Sequence, residues 1–93
     1  MKHSFLAHDE CDHVAVAVVD VSRGEEVEIA FLNSDRRVTL QSRGDVPLGH
    51  KMALRDLDEG VEVLKYGVPI GRTTTDLRAG DYVHTHNLRT ARW

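Results

Sequence analysis

The sequence predicts a mainly β protein assembled from many short strands, on three observations. Apolar residues come in short, β-branched runs, of which Val14-Ala15-Val16-Ala17-Val18-Val19 is the clearest, and such runs fit a pleated, packed surface. No stretch of ten or more residues carries the apolar repeat of an amphipathic helix. The third observation is a recurring corner. Asp20-Val21-x-x-Gly24-x-x-Val27 returns as Asp56-Leu57-x-x-Gly60-x-x-Val63 and as Asp76-Leu77-x-x-Gly80-x-x-Val83. An Asp side chain accepts hydrogen bonds from amides a few residues on and so nucleates a turn. Gly leaves that turn with φ > 0, and Val starts the next strand. Each aliphatic residue after Asp is expected to point inward. The copies are unequally spaced, which excludes a solenoid.

Taken in order, Ser4-Phe5-Leu6-Ala7 is a short apolar segment ending at His8, followed by a polar turn through His13. Val14 to Val19 reads as a strand buried on both faces, and Asp20 to Gly24 breaks it. Val27, Ile29 and Phe31 alternate with Glu28 and Ala30, the pattern of a half-buried strand. Asn33-Ser34-Asp35 is a turn before a strand at Arg37 to Gln41. Gln41 to Gly49 reads as a loop, with Gly44, Pro47 and Gly49 as breakers. Lys51 to Leu54, Val61 to Tyr66 and a segment at Tyr82 complete the strands. The expected core is Val16, Val18, Ile29, Leu54, Leu57, Val63, Ile70, Leu77 and Val83.

Ninety-three residues predict a single domain, 1–93, with 41% hydrophobic and 29% charged residues, as in soluble globular chains. The net charge of −3 argues against nucleic acid as a partner. No apolar run approaches the length of a membrane span, and no signal-peptide core opens the chain. Cys11 is the single cysteine, so no internal disulfide forms and a cytoplasmic location is expected.

The stretch Gly80-Asp81-Tyr82-Val83-His84-Thr85-His86-Asn87-Leu88 carries the most chemistry. On an extended strand His84 and His86 share one face, with Thr85 and Asn87 on the other. Two adjacent imidazoles can share a metal, an anion or a carboxylate. An edge strand whose histidines merely face water fits the same spacing.

Several motifs together resemble a known family. Gly49-His50-Lys51-Met52-Ala53-Leu54-Arg55-Asp56-Leu57, then Lys65-Tyr66-Gly67-Val68-Pro69-Ile70-Gly71-Arg72, then Ala79 to Leu88 are similar to the N-terminal module of altronate and galactarate dehydratases. The opening His8-Asp9-x-x-Asp12-x-Val14-Ala15-Val16-Ala17 is similar to that module's start, although His13 stands where the family often has Asn. Gly24 to Val46 matches weakly. The resemblance implies a SAF-type β-clip, mainly β with very little helix. Relatives carry the module fused to a larger catalytic portion or as a separate small subunit, as in sulfolactate sulfo-lyase. A chain that stops just past His86-Asn87-Leu88 looks like the separate version.

The resemblance implies a small subunit of a metal-dependent lyase, inactive alone, that completes a site on a large catalytic subunit. Such an enzyme eliminates water (a sugar-acid dehydratase) or sulfite (a sulfolactate sulfo-lyase) from a small hydroxy-acid substrate. A general base takes the proton beside the carboxylate, and a divalent cation stabilises the resulting enediolate. The resemblance suggests iron(II), which imidazole and oxygen ligands suit. His8, His84 and His86 are the candidate metal ligands. His50 and Lys51 are the candidate catalytic residues, one exchanging protons and the other holding a carboxylate. Asn87 and His86 are candidate substrate contacts. Each has a structural alternative: His50 caps a turn, Lys51 is a solvated strand residue, Asn87 ties down a strand end. His3 and His13 are read as surface residues. A homo-oligomer is open, as is a stand-alone β-clip binding module without lyase activity. The combination of His84-Thr85-His86-Asn87 with Gly49-His50-Lys51 favours the lyase subunit, because a generic β-clip needs neither.

Overall fold

The computed structural model describes residues 3–65, 68–84 and 87–90. It is mainly β, with no helix among the described residues. Nine strands occur there: β1 (Phe5–Ala7), β2 (Val14–Ala17), β3 (Glu26–Phe31), β4 (Arg37–Gln41), β5 (Lys51–Ala53), β6 (Glu62–Lys65), β7 (Val68–Thr73), β8 (Tyr82–Val83) and β9 (Leu88–Thr90). They form a six-stranded sheet, ordered β4-β3-β1-β2-β5-β8, and a three-stranded sheet, β6-β7-β9. Only β1 and β3 run parallel. The larger sheet curls, so that the Arg43 amide after β4 donates to the Gly80 carbonyl before β8 at 2.9 Å.

Two apolar clusters lie on either side of β2, β5 and β8. Ala15, Ala17 and Met52 join Phe5, Val27, Ile29, Phe31 and Val46 in one, with Tyr82 packed against it. Val14, Ala53 and Val83 join Leu57, Val63 and Leu77 in the other. Single-residue alternation sends neighbours into different cores. Ile29, Leu57, Val63, Leu77 and Val83 are buried as expected, and Leu54 and Ile70 pack half-buried against the clusters. Val16 and Val18 are corrections. Ala15 and Ala17 are buried on one face of β2 and Val14 on the other, while Val16, paired with Lys51, is half-buried and Val18 is 37% exposed. Burial on both faces stops at Ala17, because the chain there leaves the sheet for a corner.

The corners are paired, and there are four of them. Asp45-Val46-Pro47-Leu48-Gly49, read above as loop, is the fourth. Gly24, Gly49, Gly60 and Gly80 all take φ between 83° and 95°. Each sits third in a turn closed by the following residue's amide: Glu25 to Ser22 at 3.1 Å, His50 to Pro47 at 3.0 Å, Val61 to Asp58 at 3.3 Å and Asp81 to Arg78 at 2.9 Å. That is the glycine position of a type II turn. The Asp residues do not cap their own turns as expected. Asp20 Oδ1 accepts the Leu48 amide at 2.8 Å and Asp45 Oδ1 in turn accepts the Arg23 amide at 2.9 Å. Asp76 Oδ1 accepts the Glu59 amide at 2.8 Å and Asp56 Oδ1 the Ala79 amide at 2.9 Å. Between each pair of carboxylates the aliphatic residues exchange both backbone bonds, Val21 with Val46 at 2.9 and 2.8 Å and Leu57 with Leu77 at 2.9 and 2.7 Å. All four are buried. Two pseudo-symmetric clasps result, and one of them delivers His50.

The strand at Val68 to Thr73 is not among the strands expected above, and it carries a proline and a glycine, Pro69 and Gly71, inside it. Pro69 is accommodated because β9 pairs only with Gly71 to Thr73, which leaves Pro69 flanked by β6 alone at a register shift.

Candidate functional site

The clasp that joins Asp20 and Asp45 ends in the turn at Gly49, and the next residue is His50. The His50 carbonyl accepts the Ala17 amide at 2.8 Å, which fixes His50 beside β2 at the head of β5. On the other side of β5, Lys51 faces Val83 and Met52 faces Tyr82. The same register sets His50 opposite His84. Cross-strand neighbours of this kind bring their side chains together. The His50 and His84 ring centroids are 4.9 Å apart. Tyr82, two residues before His84, lies on the same face; its ring is stacked on His84 at 5.7 Å with a 7° interplanar angle. The Tyr82 hydroxyl meets His50 Nδ1 at 2.6 Å.

His84 is exposed, whereas His50 and Tyr82 are half-buried. The result is a compact surface cluster of two imidazoles and a phenol. Tyr82 is the residue that sequence reading missed. The signal was available: the period-two rule applied to the histidines also places Tyr82 beside His84.

The strand expected to carry His84 is a correction. Strand β8 ends at Val83, and the Asn87 and Leu88 amides both donate to the His84 carbonyl, at 3.1 and 2.9 Å. Asn87 holds this return. Its Oδ1 accepts the His84 amide at 2.9 Å and its Nδ2 donates to the Tyr82 carbonyl at 2.7 Å. At 4% exposure it ties down the strand end. His86, expected as metal ligand and substrate contact, lies outside the described residues.

Lys51 and His50 face opposite ways. Lys51 is half-buried next to Lys65, and its pKa is lowered, first by burial and then by the Lys65 charge. His8 is not brought to the cluster. It is exposed just after β1, three strands from β8 in the sheet order, and its amide donates to the buried Asp12 Oδ2 at 3.2 Å. In register, Leu6 aligns through Val16 and Lys51 with Val83. His8 and His84 therefore lie toward opposite ends of that row. His3 is half-buried. His13, expected as a surface residue, is half-buried: its ring accepts the Leu64 amide at 3.0 Å, joining the two sheets.

Among the described residues no three of His, Cys, Asp or Glu converge as a metal site. The described residues therefore do not by themselves fit iron(II), which needs more donors than two imidazoles. No described helix is long and apolar enough to cross a membrane.

Residues 3–91 match the altronate/galactarate dehydratase SAF domain. The chain is 40% identical over its full length to (2R)-sulfolactate sulfo-lyase subunit alpha of Chromohalobacter salexigens, and the match spans 100% of that chain. It is 48% identical to the same-named subunit of Paracoccus pantotrophus over 66% of this chain and 88% of the relative. It is also 48% identical to altronate dehydratase of Escherichia coli over 85% of this chain, which spans only 15% of that longer protein. The fold, the motifs and these matches agree: the chain belongs to the altronate/galactarate dehydratase SAF-domain family.

Proposed function

We propose that this chain is the small subunit of a lyase that removes water or sulfite from a hydroxy acid, and that its His50–Tyr82–His84 face completes the site on a large catalytic subunit. The observation that carries the reading is the cross-strand pair of imidazoles 4.9 Å apart on an accessible face. Relatives matched over most of their length are named as subunits of a sulfo-lyase, which supports a partner chain. A shared surface is supported by apolar side chains next to His50. Val18 and Val19 are 37% and 46% exposed and Leu48 is 61% exposed. The clasp draws them together, since Gly49 donates to the Ala17 carbonyl at 2.9 Å and Leu48 to Asp20 at 2.8 Å.

Elimination next to a carboxylate needs a base for the α proton and stabilisation of the enediolate. The imidazoles move protons. Half-buried Lys51, beside Lys65, is a cation set back from them on the other face. Any divalent metal in the assembled enzyme, iron(II) included, takes most of its ligands from the large subunit, with His84 and His86 as the imidazoles that this chain offers to it. The assembly works in the cytoplasm. Chain and large subunit, purified separately and mixed, are expected to turn over a sugar acid or a sulfolactate that neither converts alone. On a substrate that loses water, His50→Ala and His84→Ala should each lower kcat about 100-fold or more with the complex intact by size-exclusion chromatography. Turnover by the chain alone, or full activity of both variants, would refute the reading. Absence of any complex would favour a stand-alone binding module.

A further inference from the structure

We infer that Tyr82 is a positioning residue that fixes the proton of neutral His50 on Nε2, so that His50 acts as the acid toward the leaving group. The tautomer follows from this chain's geometry; the catalytic step rests on the lyase reading above. In a neutral imidazole one nitrogen donates and the other accepts. The Tyr82 oxygen and His50 Nδ1 are 2.6 Å apart, a separation at the short end for a hydrogen bond. Between these two groups the favourable arrangement is O–H to N. A phenol is a stronger donor than an imidazole N–H, and its oxygen, conjugated with the ring, is the weaker acceptor. Tyr82 therefore donates, Nδ1 accepts, and Nε2 carries the hydrogen.

The phenol is held in place from several sides. Met52 opposes it across the strand pair, the Asn87 amide holds the Tyr82 carbonyl at 2.7 Å, and the His84 ring stacks on it. His50 is held by its turn and by Ala17. The hydrogen bond thus joins two rigid supports, and His50 Nε2–H is the donor offered to a bound molecule. For a leaving hydroxyl, the C–O bond breaks with its electron pair on oxygen and the Nε2 proton completes a water molecule. The Tyr82 proton passes to Nδ1, so His50 stays neutral. The α proton, taken by another base as its C–H electrons form the C=C bond, returns through solvent to the phenolate. Departing sulfite needs no such proton.

Two measurements on Tyr82→Phe, which keeps the ring, test this. In the isolated full-length chain at about pH 8, long-range ¹⁵N–¹H NMR should show His50 protonated at Nε2 and bare at Nδ1. The variant should show a mixture of tautomers. A wild-type proton on Nδ1, or an unchanged ratio in Tyr82→Phe, overturns the positioning role whether or not the chain serves a lyase. In the reconstituted complex, Tyr82→Phe should lower kcat for water elimination about 10- to 100-fold with KM little changed. For a sulfonate substrate kcat should fall less than about threefold. A loss above tenfold on a sulfonate, or none on a hydroxyl leaving group, overturns the acid assignment. A wild-type complex without turnover sinks the lyase reading and leaves the NMR result to decide the tautomer.

Discussion

His13 and Leu64 exchange two hydrogen bonds: the Leu64 amide donates to His13 Nδ1 at 3.0 Å, and the His13 amide donates to the Leu64 carbonyl at 3.0 Å. A side chain of the segment leading into β2 thereby substitutes for a missing strand partner on β6. The ring must stay neutral at Nδ1 to accept. Burial, and after it the Arg55 charge, lower the His13 pKa below the ordinary value of 6.5. A depressed histidine pKa contributes stability above the unfolded pKa, lost as pH falls through the folded one. Urea midpoints of the wild-type chain are therefore expected to drop from about pH 6.5 downward. His13→Gln, which keeps an acceptor without titrating, should give a flatter curve over that window. Parallel curves would remove His13 as the cause.

The glycines of the four turns are not equivalent. A Cβ on Gly60 meets nothing, whereas one on Gly80 would be forced into the Gln41 carbonyl oxygen where the curled sheet closes. Gly60→Ala should cost about 1–2 kcal/mol, the price of a left-handed backbone for an L residue. Gly80→Ala carries the same cost and about 1–3 kcal/mol more from overpacking. Equal unfolding free energies for the two variants would show that the sheet does not close there.

Asn87 distinguishes a structural from a substrate-binding role. Its amide is spent on the Tyr82 carbonyl and the His84 amide in a buried setting. Asn87→Ala should therefore lower stability by about 1–3 kcal/mol in chemical denaturation of the chain by itself. An unchanged unfolding curve together with a raised KM in the assembled enzyme would restore Asn87 to the substrate.

What was legible in the sequence was local chemistry. Short β-branched segments, the Asp and Gly of the turns and the inward aliphatic residue after each Asp can be read one segment at a time. The destination of the Asp side chains cannot. Each bonds an amide far along the chain, so the fourth corner at Asp45, with Pro47 inside it, reads as loop when taken one segment at a time. The direction of β2 was equally opaque, because Val16 and Ala17 differ in size but not in apolar character. For the site, the period-two rule placed His84 on a face, while only the register between β5 and β8 set His50 opposite it. Tyr82 became visible as a chemical group once its hydroxyl met that ring.

The two clasps also have a kinetic consequence. Their carboxylate bonds span 28 and 22 residues in one case and 17 and 23 in the other. No half-clasp finds its partner nearby, so each loop must close before any of its bonds form, and loop closure is an entropic cost met in advance. A chain organised this way folds slowly for its length compared with a helical domain of equal size. The clasp that delivers His50 beside Tyr82 cannot form until the chain between Asp20 and Leu48 has closed into a loop.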